Sequence, residues 1–293
     1  MRKNILNPDQ LLKLPQDWVK EQIHQFLQED APAGDLTTAG LPNQAREVTG
    51  QLEAASEMIF AGQQILDACF GEQCVVNCHF EDGAQVLPGE IIAEVQGPAG
   101  AILTRERITL NLLQRLCGIA TTTRQYAKIL EPYDMVVLDT RKTTPGLRLF
   151  EKYAVAAGGG QNHRLNLSSG VLIKDNHLQL TSSIGDLVGN IRTANPQMVI
   201  ELEVEDIDQL HAGLEAGCNA FLLDNMEPDK AAKFVRAIRD YPGGESIFVE
   251  ASGGITLENL ASYSDTGIDG ISVGALTHHI VSADIRLEIR LED

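Results

Sequence analysis

Residues 198–224, MVIELEVEDIDQLHAGLEAGCNAFLLD, hold one complete strand–helix–strand unit. MVIELE (198–203) and AFLLD, which ends at Asp224, are short and mostly apolar, as strands covered on both faces must be. Residues 206–216 between them carry helical spacing. The same alternation extends outward in both directions. MVVLD (135–139), VLIK (171–174), IFVEA (247–251) and GISV (270–273) are further strands, and residues 228–239 a further helix. Strands alternating with helices predict a parallel sheet. Six strands can be counted, which predicts an incomplete barrel or one with a strand that this pattern does not show.

The first 118 residues contain no such repeat. Residues 16–29 are an amphipathic helix, 46–60 and 75–96 have strand character broken by Gly and Pro, and 101–117 form a long helix. At the other end, ADIRLEIRLED alternates Ile285, Leu287, Ile289 and Leu291 with charged residues, the period-two pattern of a half-buried strand. With nothing after it to pair with, this strand is expected to return to the N-terminal sheet. The predicted organisation is an α/β sandwich from residues 1–118, completed by 280–293, with an α/β barrel from 119–279 between them.

The 293 residues, 43% of them hydrophobic, are enough to bury a large core. No run approaches the ~20 apolar residues of a membrane helix, and the N-terminal stretch is interrupted by Pro8 and Pro15 before a signal-like apolar segment can form. Cys69, Cys74, Cys78, Cys117 and Cys218 are odd in number and form no CxxC pair, which suits thiols of a reducing, cytoplasmic compartment better than a zinc site. The net charge of −18 opposes binding to nucleic acid and anionic membranes. Residues 141–174 break that pattern: Arg141, Lys142, Arg148, Lys152, Arg164 and Lys174 face a single acid, Glu151. Such a cluster can be a solvated face. It can also be a pocket for a polyanionic small molecule.

In βα barrels the active site forms at the carboxyl ends of the strands. Here those ends run into Arg141 and Lys142, Lys174, Glu203, Asp224, the Ser252–Gly253–Gly254 turn and Gly274. A single polar strand end only meets solvent; six that carry cations, acids and glycines imply a ligand. Glycine turns on the last two strands suit a phosphate, which backbone N–H groups at a turn into a helix can hold. Arg141 and Lys142 are neighbours on an extended segment, so they address different parts of a ligand, and Arg can grip a carboxylate with two parallel hydrogen bonds. GGG at 158–160 leads to a second cationic pair, His163 and Arg164. Glu203 and Asp224 are placed to hold magnesium or ribose hydroxyls, or to neutralise a cation forming on a sugar. They can equally pair with Lys174 or Lys142 at the barrel mouth.

The run DTRKTTPGLRLFEKYAVAAGGGQNHR (139–164), followed by VLIKDNH (171–177), resembles the quinolinate phosphoribosyltransferases. APAGDLTT ending at Thr38, ERITLNLLQRLCGIAT (106–121), ELEVE (201–205), LLDN (222–225), EASGGI (250–255) and SVGALTHH (272–279) extend the resemblance along nearly the whole chain. It implies an N-terminal sandwich, an open TIM-like barrel of about seven strands and a head-to-tail homodimer with shared sites. It also implies a quinolinate pocket of Arg141, His163, Arg164 and Lys174 with Arg107 from the neighbouring subunit. The matching phosphoribosyl pyrophosphate site is Lys142, Glu203, Asp224, Ser252, Gly253, Gly254 and Gly274, with Mg2+ accompanying the sugar donor. The chain departs from the family pattern at Ser168 and Ser169, where an acid commonly follows the HR pair, and at His279, where THS is common.

The implied reaction converts quinolinate and phosphoribosyl pyrophosphate to nicotinate mononucleotide, pyrophosphate and CO2, in de novo NAD biosynthesis. It brings several anions together, and the basic segment offsets their repulsion. Other readings are a related branch associated with molybdenum transport, a lysine aldolase using Lys174 as a Schiff base, and a non-catalytic barrel that binds a phosphorylated metabolite.

Overall fold

The structure is a computed structural model and describes residues 4–7 and 9–290. Its strands, in chain order, are β1 (Glu47–Ala54), β2 (Met58–Ile59), β3 (Val75–Cys78), β4 (Gln85–Val86), β5 (Ile91–Pro98), β6 (Val136–Leu138), β7 (Val171–Ile173), β8 (Ile200–Val204), β9 (Ala220–Asp224), β10 (Phe248–Ser252), β11 (Gly270–Ser272) and β12 (Ile285–Arg290). Two compact units contain them. One comprises Leu11–Arg124, Pro145–Gly159 and the chain from His279 onward; the other comprises the chain up to Gln10, Gln125–Thr144 and Gly160–His278.

In the first unit an antiparallel sheet runs in the order β12-β1-β5-β3. Burial alternates along β1, placing Val48, Gly50, Leu52 and Ala54 on one face, and β12 pairs with it so that Leu52 lies opposite Leu287 and Ala54 opposite Ile285. The expected return of the last strand to this sheet is therefore observed; Leu291 lies outside the described residues. The helix Gln16–Asp30 buries Val19 and Ile23. The helix expected to end at residue 117 instead runs from Ala99 to Leu130. Gly118 is not a stop signal. A Cβ there would fall 2.3 Å from the Val281 carbonyl oxygen, so glycine permits a close backbone crossing within a continuous helix.

In the second unit six parallel strands run in the order β6-β11-β10-β9-β8-β7. Helices Ile207–Glu215 and Pro228–Asp240 connect successive strands. The seventh member is Gln161, which lies outside the named strands and joins β6 through a single parallel bridge to Leu138. One residue carries no periodicity, which is why a count of apolar runs stops at six. Leu202 on β8 faces the helix Ile207–Glu215, where a Cβ on Gly213 would meet its Cδ2 at 2.5 Å. Because strand side chains alternate, Glu201 and Glu203 point to the opposite face, the barrel interior.

The division of the chain is less linear than expected. Leu6 is buried in a core cluster with Val136, Leu138, Ala220 and Phe248 of the barrel. Conversely, the helix Arg148–Ala157 belongs to the sandwich unit, where the Phe150 ring packs against Trp18 at a 42° tilt with centroids 4.7 Å apart and Glu151 pairs with Arg115 at 2.6 Å. An apolar side chain buries itself where a cavity exists, whatever its position in the chain.

Candidate active site

The carboxyl ends of the barrel strands surround a cavity of about 290 Å3 lined by Arg141, Lys142, His163, Arg164, Lys174, Glu203, Asp224 and Ser252 among others. All five candidate cations of this unit and both candidate acids thus converge. Lys174, immediately after β7, bonds its Nζ to the Glu203 carboxylate on the neighbouring strand. Asp224 ends β9 and accepts a hydrogen bond from its neighbour Asn225 at 2.6 Å. Arg141 has a buried Nε with no hydrogen-bond partner, an unspent donor at the site. Arg164 donates from Nη1 to the Gly170 carbonyl at 3.0 Å. Burial and the nearby Arg141 pull its pKa down, with Glu201 opposing.

The glycines are dictated by positive φ at Gly253 and Gly254 and by close approach at Gly253 and Gly274. Gly253 and Gly254 have φ of +89° and +64°, and a Cβ on Gly253 would fall 2.2 Å from Asn225 Oδ1. A Cβ on Gly274 would fall 2.8 Å from Lys142 Cδ. Lys142 is further fixed through its backbone, whose carbonyl accepts from Thr277 Oγ1 at 2.8 Å and whose N–H donates to Thr140 Oγ1 at 3.0 Å. A turn into a helix is expected at both glycine segments but is found at only one. The Ser252–Gly254 turn does not enter a helix directly; a 3₁₀ turn follows only at Leu260–Tyr263, and of the two glycine segments only Gly274 immediately precedes a helix, Ala275–His278.

On the floor of the cavity, where His163, Glu250 and Ser272 are among the lining residues, lies a polar layer of which the sequence singled out only His163. His163 Nε2 is 3.0 Å from Glu201 Oε2 and 3.6 Å from Glu250 Oε1. Ser272 Oγ bonds Glu250 Oε1 at 3.2 Å, and Asp139 accepts the His163 backbone N–H at 2.8 Å and the Asn162 amide at 2.7 Å. Glu201 and Glu250 are essentially fully buried. Burial, then the Glu250 charge, raise the Glu201 pKa to about 7, with His163 and Arg164 opposing. Burial disfavours charge on His163, but Glu250 and Glu201 outweigh it and favour a second ring proton. The geometry opposes that proton: the Arg164 N–H approaches Nδ1 at 2.7 Å, and the two nitrogens have no room for two hydrogens between them. The contact is decisive, since a charge effect cannot place a proton where no space exists. The available signal in the sequence was spacing: Glu201 and Glu203, like Glu250 and Ser252, are two apart on one strand and share a face.

Arg107 belongs to the other unit, exposed on the helix Ala99–Leu130. It lines a separate hollow with Asn111, Glu29 and Asp30, while Ile102, Leu113 and Leu116 are buried. Ser168 and Ser169 close a turn on Asn166 and are not part of the cavity wall. His279 is exposed. Among the described residues, no helix is long and apolar enough to cross a membrane.

Models of the quinolinate phosphoribosyl transferase N-terminal and C-terminal domains match residues 35–117 and 119–288. The chain is 42% identical over 279 residues to a probable nicotinate-nucleotide pyrophosphorylase (carboxylating) of Bacillus subtilis, covering 94% of each chain. It is 35% identical over 283 residues to the human nicotinate-nucleotide pyrophosphorylase (carboxylating), covering 95% of this chain and 94% of the human one. Among solved structures, the nicotinate-nucleotide pyrophosphorylase from Francisella tularensis superposes with a TM-score of 0.90 at 33% identity, over 97% of this chain and 100% of that one. With both domain models matched in order and relatives aligned along nearly the full length, the chain belongs to the quinolinate phosphoribosyl transferase family.

Proposed function

We infer that this chain transfers a phosphoribosyl group to quinolinate and decarboxylates the product, yielding nicotinate mononucleotide, pyrophosphate and CO2. The observation that carries the reading is the convergence of Arg141, Arg164, Lys174 and Lys142 on one cavity that also holds Glu203 and Asp224. A dicarboxylate and a diphosphate ester repel one another, and four cations in one hollow offset that repulsion. Arg141, Arg164 and Lys174 are assigned to the carboxylates, and Lys142 with the Ser252–Gly254 turn and Gly274 to the phosphates. The bond from the anomeric carbon to pyrophosphate breaks as the pyridine nitrogen forms its bond to that carbon. Glu203 and Asp224 stabilise the positive charge that develops on the sugar. The glycosylated nitrogen is cationic, so the C2–carboxylate bond can release CO2 and leave its electron pair beside that charge, where a proton then replaces it.

Magnesium enters this scheme with the sugar donor. Glu203 is already engaged by Lys174, and among the described residues neither Glu203 nor Asp224 belongs to a group of three metal-ligating side chains. Two carboxylates of this kind suit an ion carried mainly by a diphosphate. We assign Arg107 to the site of a second copy of the chain in a homodimer, consistent with an exposed arginine on a helix whose other face is buried, and the enzyme to the cytoplasm. The test of the activity is incubation with quinolinate, Mg2+ and phosphoribosyl pyrophosphate. Nicotinate mononucleotide formed with equal amounts of pyrophosphate and CO2 is the expected result; none of these products would overturn the assignment.

A further inference from the structure

His163 carries more constraints than a ligand-binding histidine requires. Its backbone N–H is held by Asp139 at 2.8 Å, its Nδ1 accepts the Arg164 N–H at 2.7 Å, and its Nε2 faces Glu201 at 3.0 Å and Glu250 at 3.6 Å. With Nδ1 an acceptor, the ring proton sits on Nε2 and is donated downward to the acids. Neither nitrogen is then available to the cavity, although the ring lines it. Two acids that are 1% and 0% exposed are costly to keep. One of the two free oxygens, Glu201 Oε1 or Glu250 Oε2, would suffice to leave a buried acceptor unpaired, and both are without partners. Solvation does not account for the pair. Holding the imidazole does.

We propose that Glu201 and Glu250 are positioning residues: from the barrel interior they take the Nε2–H of His163, so that both ring nitrogens are engaged within the protein and the substrate's carboxylates are left to Arg141, Arg164 and Lys174. This rests on the assignment of the cavity to quinolinate. The imidazole then meets the pyridine ring with its carbon atoms rather than its nitrogens, a flat surface of fixed orientation. Glu250 is itself oriented by Ser272 at 3.2 Å, which joins β10 and β11 at the pocket wall, where both side chains are among the lining. The three side chains also place their ligand atoms within 4.8 Å of one another, the spacing of a metal site. A proton shared across them satisfies the same geometry without an ion.

Nitrogen-15 NMR of histidine-labelled wild-type protein, alone and saturated with quinolinate, tests the proposal without turnover. The expected spectrum shows the neutral Nε2–H tautomer of His163, protected from solvent exchange and unchanged by the ligand. A Nδ1–H tautomer, or a ring nitrogen that forms a new bond when quinolinate binds, would overturn it, as would one metal ion per chain retained through dialysis and lost in Glu250→Gln. In kinetics, Glu201→Gln and Glu250→Gln should raise the quinolinate KM by about 10-fold while the phosphoribosyl pyrophosphate KM stays within about twofold. Equal changes in both KM values would mark a merely structural role. If wild-type protein bound quinolinate but made no nicotinate mononucleotide, the activity assignment would fail while the NMR result would still decide the role of the two acids.

Discussion

Lys174 Nζ and the Glu203 carboxylate bond across the adjacent strands β7 and β8, so a cation and an acid of the site neutralise each other before any ligand arrives. A ligand carboxylate that recruits Lys174 frees Glu203 to face the sugar. Glu203→Gln should therefore lower kcat by at least about 10-fold and alter quinolinate affinity by much less. Steady-state kinetics with each substrate varied at saturation of the other will measure both, and unchanged kcat would reduce Glu203 to a structural charge.

Arg141 has a buried Nε with no hydrogen-bond partner in the protein, so its removal deprives a bound carboxylate of a donor that is unspent inside the fold. Arg141→Ala should weaken quinolinate binding by ~2–5 kcal/mol and leave the thermal unfolding midpoint close to that of the wild type. Calorimetric titration with quinolinate, paired with a melting curve, checks the two halves of this statement.

Gly274 and Lys142 approach so closely that a Cβ would lie 2.8 Å from Lys142 Cδ. The lysine stem is flexible and can move aside, so Gly274→Ala should cost less than ~1 kcal/mol in denaturant unfolding. The displaced ammonium should nevertheless raise the phosphoribosyl pyrophosphate KM by about 10-fold. A variant with normal kinetics would show that Lys142 does not depend on that gap.

Glu201 has its pKa raised from 4.5 to about 7 by burial and by Glu250. A carboxyl with a raised folded-state pKa retains its proton where the unfolded chain has lost it. Its contribution to stability is therefore fully present below about 4.5 and is lost as pH rises to about 7. Glu201→Gln removes the titration. Urea unfolding from pH 5 to pH 8 should show the wild type losing stability relative to this variant by ~1–3 kcal/mol; parallel curves would place the proton elsewhere.

Arg107 is exposed on a helix whose other face is buried. If it completes the site of a second copy, inactive Arg107→Ala and Lys142→Ala proteins should regain about a quarter of wild-type activity when mixed 1:1 under conditions of subunit exchange, because half the dimers are mixed and each has one intact site. Heterodimers verified by mass spectrometry but still inactive would remove Arg107 from the shared site.

Residue order alone determined the parallel barrel, the returning last strand and the cations at the barrel mouth. Runs such as MVVLD and AFLLD are apolar because both faces of their sheet are covered, IRLEIR alternates because one face of β12 is not, and polar residues at strand ends fall where the fold always places ligands. Tertiary structure decided the rest. Gln161 joins the barrel through one bridge, too short to have a period. Gly118 permits a helix crossing that depends on Val281, distant in sequence. Leu6 fills the barrel core from the far end of the chain. Glu201 and Glu250 look in sequence like polar interruptions of apolar strands; only the meeting of β8, β10 and the His163 loop makes them the support of the pocket. Periodicity records what each residue's own element requires, and these functions depend on neighbours that the chain brings together only by folding.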